Sequence, residues 1–122
     1  VVDHDGAYVG GVIAPGVNLS LQALHQMAAA LPHVDIAKPK EVIGKNTVSC
    51  MQSGVFWGYI GLVKEICRKI KEEKRETMKV VATGGLAPLL QSTEALFENV
   101  DENLTMHGLR LIFDYNRSIE SL

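Results

Sequence analysis

The residues best able to do chemistry fall into two short segments. Val80, Val81 and Ala82 run into Thr83-Gly84-Gly85. A strand that turns through paired glycines into a helix leaves backbone N–H groups unpaired and brings the main chain close to whatever lies above it. A nucleotide suits such a corner, although strand-Gly-Gly-helix is also a common turn, and the dinucleotide fingerprint GxGxxG is absent. The second segment is Gly44-Lys45-Asn46-Thr47. It shares a Gly-Lys pair with the P-loop, but Pro39 stands where that motif needs its first glycine, so the P-loop reading fails. What survives is a helix start bearing a cation, an amide and a hydroxyl, able to hold a carboxylate or another polar acceptor. Equally, Asn46 and Thr47 can be plain caps with Lys45 solvated.

Other chemistries find little support. His4, His25, His33 and His107 show neither HxxxH nor HExxH spacing, which argues against zinc. Asp3 and Asp5 flank a candidate turn, where Asp bonds its own backbone. Cys50 and Cys67 fall in one candidate helix roughly 25 Å apart, too far for a disulfide, and without CxxC spacing they fit ordinary packing. No Ser-His-Asp or Cys-His arrangement follows from the spacing.

Several elements must position these segments. Asp5-Gly6 between the apolar runs 1–3 and 8–13 signals an antiparallel hairpin. Pro15-Gly16 closes its second strand. Asn18 or Ser20 can cap a helix with Leu21, Leu24, Met27, Ala28 and Leu31 at helical spacing, ended by Pro32. After an irregular stretch to Lys45, Asn46 or Thr47 caps a long helix reaching about Glu73. Its apolar positions form two stripes, Met51, Val55, Leu62 and Ile66 on one and Phe56, Ile60, Val63, Cys67 and Ile70 on the other, which predicts packing on two sides. Gly54, Gly58 and Gly61 interrupt this helix at a cost of about 1 kcal/mol each relative to Ala. A close contact offsetting that cost comes either from the helix's own domain or from a twin helix across a dimer. Residues 79–83 read as a buried strand, 86–91 as a short helix with Pro88 in its first turn, and Thr105 as the cap of a last helix over 106–116 with Leu109, Ile112 and Phe113 on one face.

At 122 residues, 47% hydrophobic and 21% charged, the chain reads as one globular domain. A formal charge of −2 argues against nucleic-acid binding. The longest uncharged stretch, residues 48–63, is too short for the roughly 20 residues of a membrane span. No basic, then apolar, signal opens the chain, so the cytoplasm is the expected location. Opening on Val1-Val2-Asp3, without Met and inside a strand, the sequence reads as a fragment.

Taken in order, Asp5-Gly6-Ala7-Tyr8-Val9-Gly10-Gly11-Val12-Ile13-Ala14-Pro15-Gly16, Val42-Ile43-Gly44-Lys45-Asn46-Thr47 with Met51-Gln52-Ser53-Gly54, and Val81-Ala82-Thr83-Gly84-Gly85-Leu86-Ala87-Pro88 resemble type III pantothenate kinases. The likeness continues through Leu104-Thr105 and Gly108-Leu109-Arg110. It implies an α/β chain of the ribonuclease H-like acetate/sugar kinase, Hsc70 and actin fold. Residues 1–122 are then the C-terminal domain, opening on hairpin strands and continuing in β/α elements around one long buried helix. It further implies that Thr47, with Asn46 beside it, contacts pantothenate, that Thr83, Gly84 and Gly85 contact the adenosine of ATP, and that Gly10, Gly11, Ile13, Pro15 and Gly16 lie near a homodimer interface.

The family phosphorylates pantothenate with ATP, Mg²⁺ and K⁺ or NH₄⁺, the first step towards coenzyme A. Its Asp-Gly-Asn loop, its Gly-x-Asp-Arg segment with the catalytic base and its Asp-x-Gly-Thr segment are not among these residues. They are expected upstream of Val1, in a missing half that holds most of the ATP and cation contacts, and the fragment alone is expected to be inactive. The alternatives are a non-catalytic accessory or assembly protein of the same fold, or a different sugar or acid kinase.

Overall fold

A computed structural model of the chain describes residues 1–27, 31–93 and 96–120. These form two compact units, Val1–Ile70 and Lys71–Leu122. The element order is α1 (Val17–Met27), α2 (Thr47–Lys74), β1 (Val81–Ala82), α3 (Ala87–Gln91), β2 (Asn99–Val100) and α4 (Leu104–Glu120).

The first unit opens on the expected turn. Asp3 accepts the backbone N–H groups of Asp5 (3.0 Å) and Ala7 (2.8 Å) on its Oδ1, and Gly6 turns through φ +82°. Asp3 therefore bonds its own loop, as Asp beside a turn commonly does. The hairpin is shorter than residues 8–13 suggested: Val2 and Tyr8 form a single antiparallel bridge, Val9 N–H reaches Val1 O at 3.0 Å, and 9–16 lie outside regular structure. Gly10, at φ +132°, takes the backbone out of the β region and ends the run.

Helix α1 begins at Val17, where Ser20 N–H bonds Gly16 O at 3.0 Å. Asn18 and Ser20 thus lie inside it rather than capping it. Val17 and Leu21 are buried, whereas Leu24 and Met27 are exposed, so the apolar stripe contributes only its first turn and a half to the core. Ala28 lies outside the described residues, and Leu31 is in irregular chain rather than helix.

Helix α2 builds the rest of this core. Met51, Val55, Phe56 and Ile60 are buried with Val17, Leu21 and Val34, and Phe56 is fully enclosed, its ring edge-on to Trp57 at 5.3 Å. Burial of side chains this size contributes about 1.5–3 kcal/mol each. Both expected stripes are represented, but only in the N-terminal half. Leu62, Val63, Ile66, Cys67 and Ile70 are half-buried. Arg75 closes the helix in the left-handed region at φ +55°, its N–H bonding Lys71 O at 3.0 Å.

In the second unit, β1 and β2 pair in parallel, Val81 opposite Asn99 and Ala82 opposite Val100, with α3 as the connection between them. The strand expected over 79–83 shrinks to two residues and is half-covered rather than buried, Val81 being 50% exposed. Gln91 ties the connection to β2 by donating to Phe97 O (3.0 Å) and accepting Phe97 N–H (3.1 Å). Ala87, Leu90 and Phe97 form the small core. Glu98 accepts Val80 N–H at 2.5 Å and pairs with Lys71 at 3.6 Å, and the bond from Val80 holds its carboxyl below the usual carboxylate range. Helix α4 starts before Thr105, which therefore lies within it. Its entry is shaped by Asp101, whose Oδ1 accepts Asn103 N–H at 2.9 Å.

Candidate substrate and nucleotide corners

In the first unit, the entry to α2 is a reciprocal cap. Asn46 Oδ1 accepts Ser49 N–H at 2.9 Å, while Ser49 Oγ accepts the N–H groups of Asn46 (3.1 Å) and Lys45 (3.0 Å). This satisfies donors on both sides of the helix boundary, with Ser in place of the usual Glu or Gln. The acceptor of Asn46 is thus spent on the helix. Thr47, one residue on, is exposed, and its hydroxyl makes no hydrogen bond among the described residues. Of the two positions expected to meet substrate, Thr47 keeps its hydroxyl free and Asn46 keeps its Nδ2 donors.

The loop before this cap is held against α2 by two side chains. Ser53 Oγ donates to Val42 O, and Gln52 Nε2 donates to Asp35 O at 3.3 Å. Gly44 lies so close to the helix that a Cβ there would fall 2.4 Å from Cys50 N and 2.6 Å from Ser49 C. Only glycine fits, and that requirement belongs to the fold. The sequence motif contained Gly44 but gave no sign of this contact. Beside it opens a cavity of about 410 Å³ lined by Lys38, Lys40, Glu41, Lys45, Ser49 and Gln52 among others. Lys45 pairs with Glu41 at 3.0 Å, both well exposed. Sequence reasoning missed this cavity; its signal was the spacing of Lys38, Lys40 and Lys45 in irregular chain.

Residues 10–16 are fastened to the same helix. Tyr59 hydroxyl donates to Pro15 O and meets Ser20 Oγ at 2.8 Å, so the tyrosine clamps the chain just before α1. Ile13 is 100% exposed, and Val12 is largely so. Gly10 and Gly16 have open space where a Cβ would stand, while at Gly11 a Cβ would come 3.1 Å from Tyr8 Oη. The stripe of Gly54, Gly58 and Gly61 on α2 is open as well, with no atom within 4 Å of a Cβ at any of the three. Among the described residues no packing contact accounts for these glycines.

In the second unit, Thr83 follows β1 directly and Gly84 turns at φ +93°, its carbonyl accepting Ala87 N–H at 3.1 Å as α3 begins. Gly84 is glycine for its backbone. Gly85 has neither a positive φ nor any atom within 4 Å of a Cβ. Thr83, Gly84 and Gly85 are all exposed. Pro88 stands in the first turn of α3, where its missing N–H does no harm. Among the described residues no three His, Cys, Asp or Glu side chains gather into a group that could hold a metal ion.

The family model described as type III pantothenate kinase matches residues 1–69. The chain belongs to the type III pantothenate kinase family. The type III pantothenate kinase of Roseobacter denitrificans is 71% identical over 120 residues, covering 98% of this chain and 47% of the relative. Those of Ruegeria pomeroyi and Paracoccus denitrificans are 70% and 65% identical over 117 and 119 residues, covering 96% and 98% of this chain and 45% and 46% of each relative. The chain thus spans about half the length of the curated pantothenate kinases it matches. No helix among the described residues is long and apolar enough to cross a membrane.

Proposed function

We propose that the full-length protein phosphorylates pantothenate on its primary hydroxyl with ATP, and that these 122 residues are the C-terminal domain of its ribonuclease H-like kinase fold. The γ-phosphoryl group moves to the hydroxyl oxygen, the bond to ADP breaks, and the hydroxyl proton goes to an Asp in the part of the protein outside this chain. Mg²⁺ and a monovalent cation, likewise held mostly outside this chain, supply charge neutralisation at the phosphates. The reading rests on the family match together with the free hydroxyl of Thr47 at the N-terminal end of α2, where helix N–H groups and dipole favour an anionic or polar acceptor. Thr47 hydrogen-bonds pantothenate in this reading, with Asn46 fixing its position through the cap rather than touching substrate.

The Thr83-Gly84-Gly85 corner takes the adenosine portion of ATP, the bare Gly85 Cα giving it close approach. A homodimer forms on residues 10, 11, 13, 15 and 16 and on the open glycine stripe of α2, and the enzyme works in the cytoplasm. The test is steady-state kinetics of the full-length protein with both substrates varied. Thr47→Ala should raise KM for pantothenate several-fold with KM for ATP nearly unchanged, a lost hydrogen bond being worth about 1 kcal/mol. Gly85→Val should weaken ATP binding instead. A full-length protein that binds neither compound nor turns them over is an accessory protein, and the kinase reading fails.

A further inference from the structure

The loop before α2 carries charge of the opposite sign to the chain as a whole. The formal charge of the chain is −2, yet the cavity of about 410 Å³ beside Gly44 is lined by Lys38, Lys40 and Lys45 against the single carboxylate of Glu41. Lys45 pairs with Glu41 at 3.0 Å, whereas Lys38 and Lys40 have no carboxylate partner among the described residues. Two uncompensated ammonium groups thus line one hollow, where a concave wall focuses their field and concentrates anions. Ser49 and Gln52, also in the lining, belong to the first two turns of α2, whose N-terminal dipole adds to the same sign. The wall is held in place. Buried Ser53 donates its hydroxyl to Val42 O, Gln52 Nε2 donates to Asp35 O at 3.3 Å, and Gly44 lies against the backbone of Ser49 and Cys50. The segment also offers main-chain donors, since the N–H groups of residues 40–44 bond no acceptor among the described residues.

We propose that this cavity binds the phosphate dianion of a small phosphorylated metabolite. A phosphate monoester carries a charge of about −1.5 to −2 at pH 7 and three acceptor oxygens, which matches two unpaired lysines. A carboxylate brings one charge and leaves a lysine uncompensated. Lysine meets phosphate as a point charge with three donors and needs no fixed fork. The volume lies within the roughly 300–1,000 Å³ of small-molecule sites, so the cavity has room for the body of an ester as well as its phosphate. The inference stands apart from the kinase reading, since it rests on Lys38, Lys40 and the cavity rather than on Thr47 or the Gly84 corner.

The test is lysine footprinting of the full-length protein with sulfo-N-hydroxysuccinimide acetate, read by peptide mass spectrometry, in glycerol 3-phosphate, inorganic phosphate, sodium acetate or sodium chloride at equal ionic strength. Glycerol 3-phosphate should slow acetylation of Lys38 and Lys40 severalfold relative to chloride and leave the exposed Lys74 and Lys79 unchanged. Equal protection by inorganic phosphate would assign the cavity to the phosphate group itself, and protection by the ester alone to the phosphorylated compound; either supports the proposal. No slowing at Lys38 and Lys40, equal slowing at Lys74 and Lys79, or equal protection by acetate would overturn it. Calorimetry then compares wild type with the Lys38→Gln, Lys40→Gln double variant, in which only exposed side chains change. The dissociation constant for glycerol 3-phosphate should rise at least about tenfold, the loss expected for one charge-assisted hydrogen bond, while that for ATP holds. An unchanged constant for the ester, or a parallel loss of ATP binding, would refute the assignment. Neither readout needs turnover, so an inactive protein that protects these lysines would refute the function and leave this inference standing.

Discussion

Replacing Gly44 with Ala should damage both the fold and the substrate corner, and the size of the effect follows from the geometry. The new Cβ would stand 2.4 Å from Cys50 N, 2.6 Å from Ser49 C and 2.7 Å from Cys50 Cα, all backbone atoms of the first turn of α2. No side-chain rotation relieves such a contact. The loop must retreat by about 1 Å to reach ordinary van der Waals distance. Retreat pulls Lys45 and Asn46 away from Ser49 and breaks a cap whose bonds are 2.9–3.1 Å long. Overpacking costs about 1–3 kcal/mol and a lost cap about 1 kcal/mol, so about 2–4 kcal/mol in all. In a protein of twice this chain's length that lowers Tm by roughly 5–15 °C. Urea denaturation and calorimetry of full-length wild type and Gly44→Ala measure it. Because Thr47 follows the cap directly, KM for pantothenate should rise in the folded variant while KM for ATP holds. A Gly44→Ala protein with an unchanged denaturation midpoint would refute the reasoning, for it would show that this backbone approach is not close at all.

Two further outcomes can be measured on the full-length protein. The carboxyl of Glu98 is held below its usual range first by the bond from Val80 N–H, and a carboxyl with a lower pKa folded than unfolded stabilises the fold above the unfolded value, near pH 4.3, and stops doing so as pH falls through the folded value; the stability gap between wild type and Glu98→Gln should therefore narrow below about pH 4.3, and a gap constant from about pH 3 to 6 would count against it. Gly58→Ala meets no atom among the described residues, so helix propensity alone should stabilise α2 by about 1 kcal/mol, whereas a helix approaching its twin should lose its dimer; analytical ultracentrifugation and urea midpoints separate the two, and a stabilised, still dimeric variant removes the glycine stripe from the interface.

What the sequence disclosed depended on how much of each element is local. The Asp3 turn, the Asn46 cap and the long run of α2 were legible because their bonds join residues two to four apart. The short α3 and its tolerated Pro88 were legible for the same reason. Strand β2 was not, since two residues, Asn99 and Val100, have no period to detect and are strand only because β1 lies beside them. The run 8–13 has strand composition, but its continuation depends on the backbone turn at Gly10, which composition does not encode. Thr105 was misassigned as a cap because Asp101, four residues earlier, organises the entry through a turn that overlaps the helix start. At the candidate site, the polar helix start was readable, while the division of labour between Asn46 and Thr47 appeared only with the cap geometry.

The glycines show where the chain's own fold stops explaining its sequence. Gly44 is forced by backbone packed against it, and Gly6, Gly10 and Gly84 by positive φ. At these positions the missing Cβ is accounted for by the 122 residues themselves. Among the described residues Gly85 and the α2 stripe of Gly54, Gly58 and Gly61 have neither reason, and inside a helix each glycine still costs about 1 kcal/mol. A cost with no internal return points outward, to groups that approach the main chain from beyond these residues. In the proposed function the occupant at Gly85 is a nucleotide, because a strand-to-helix turn leaves main-chain N–H groups open to it, and the occupant at the stripe is another helix, because α2 is long enough to carry one.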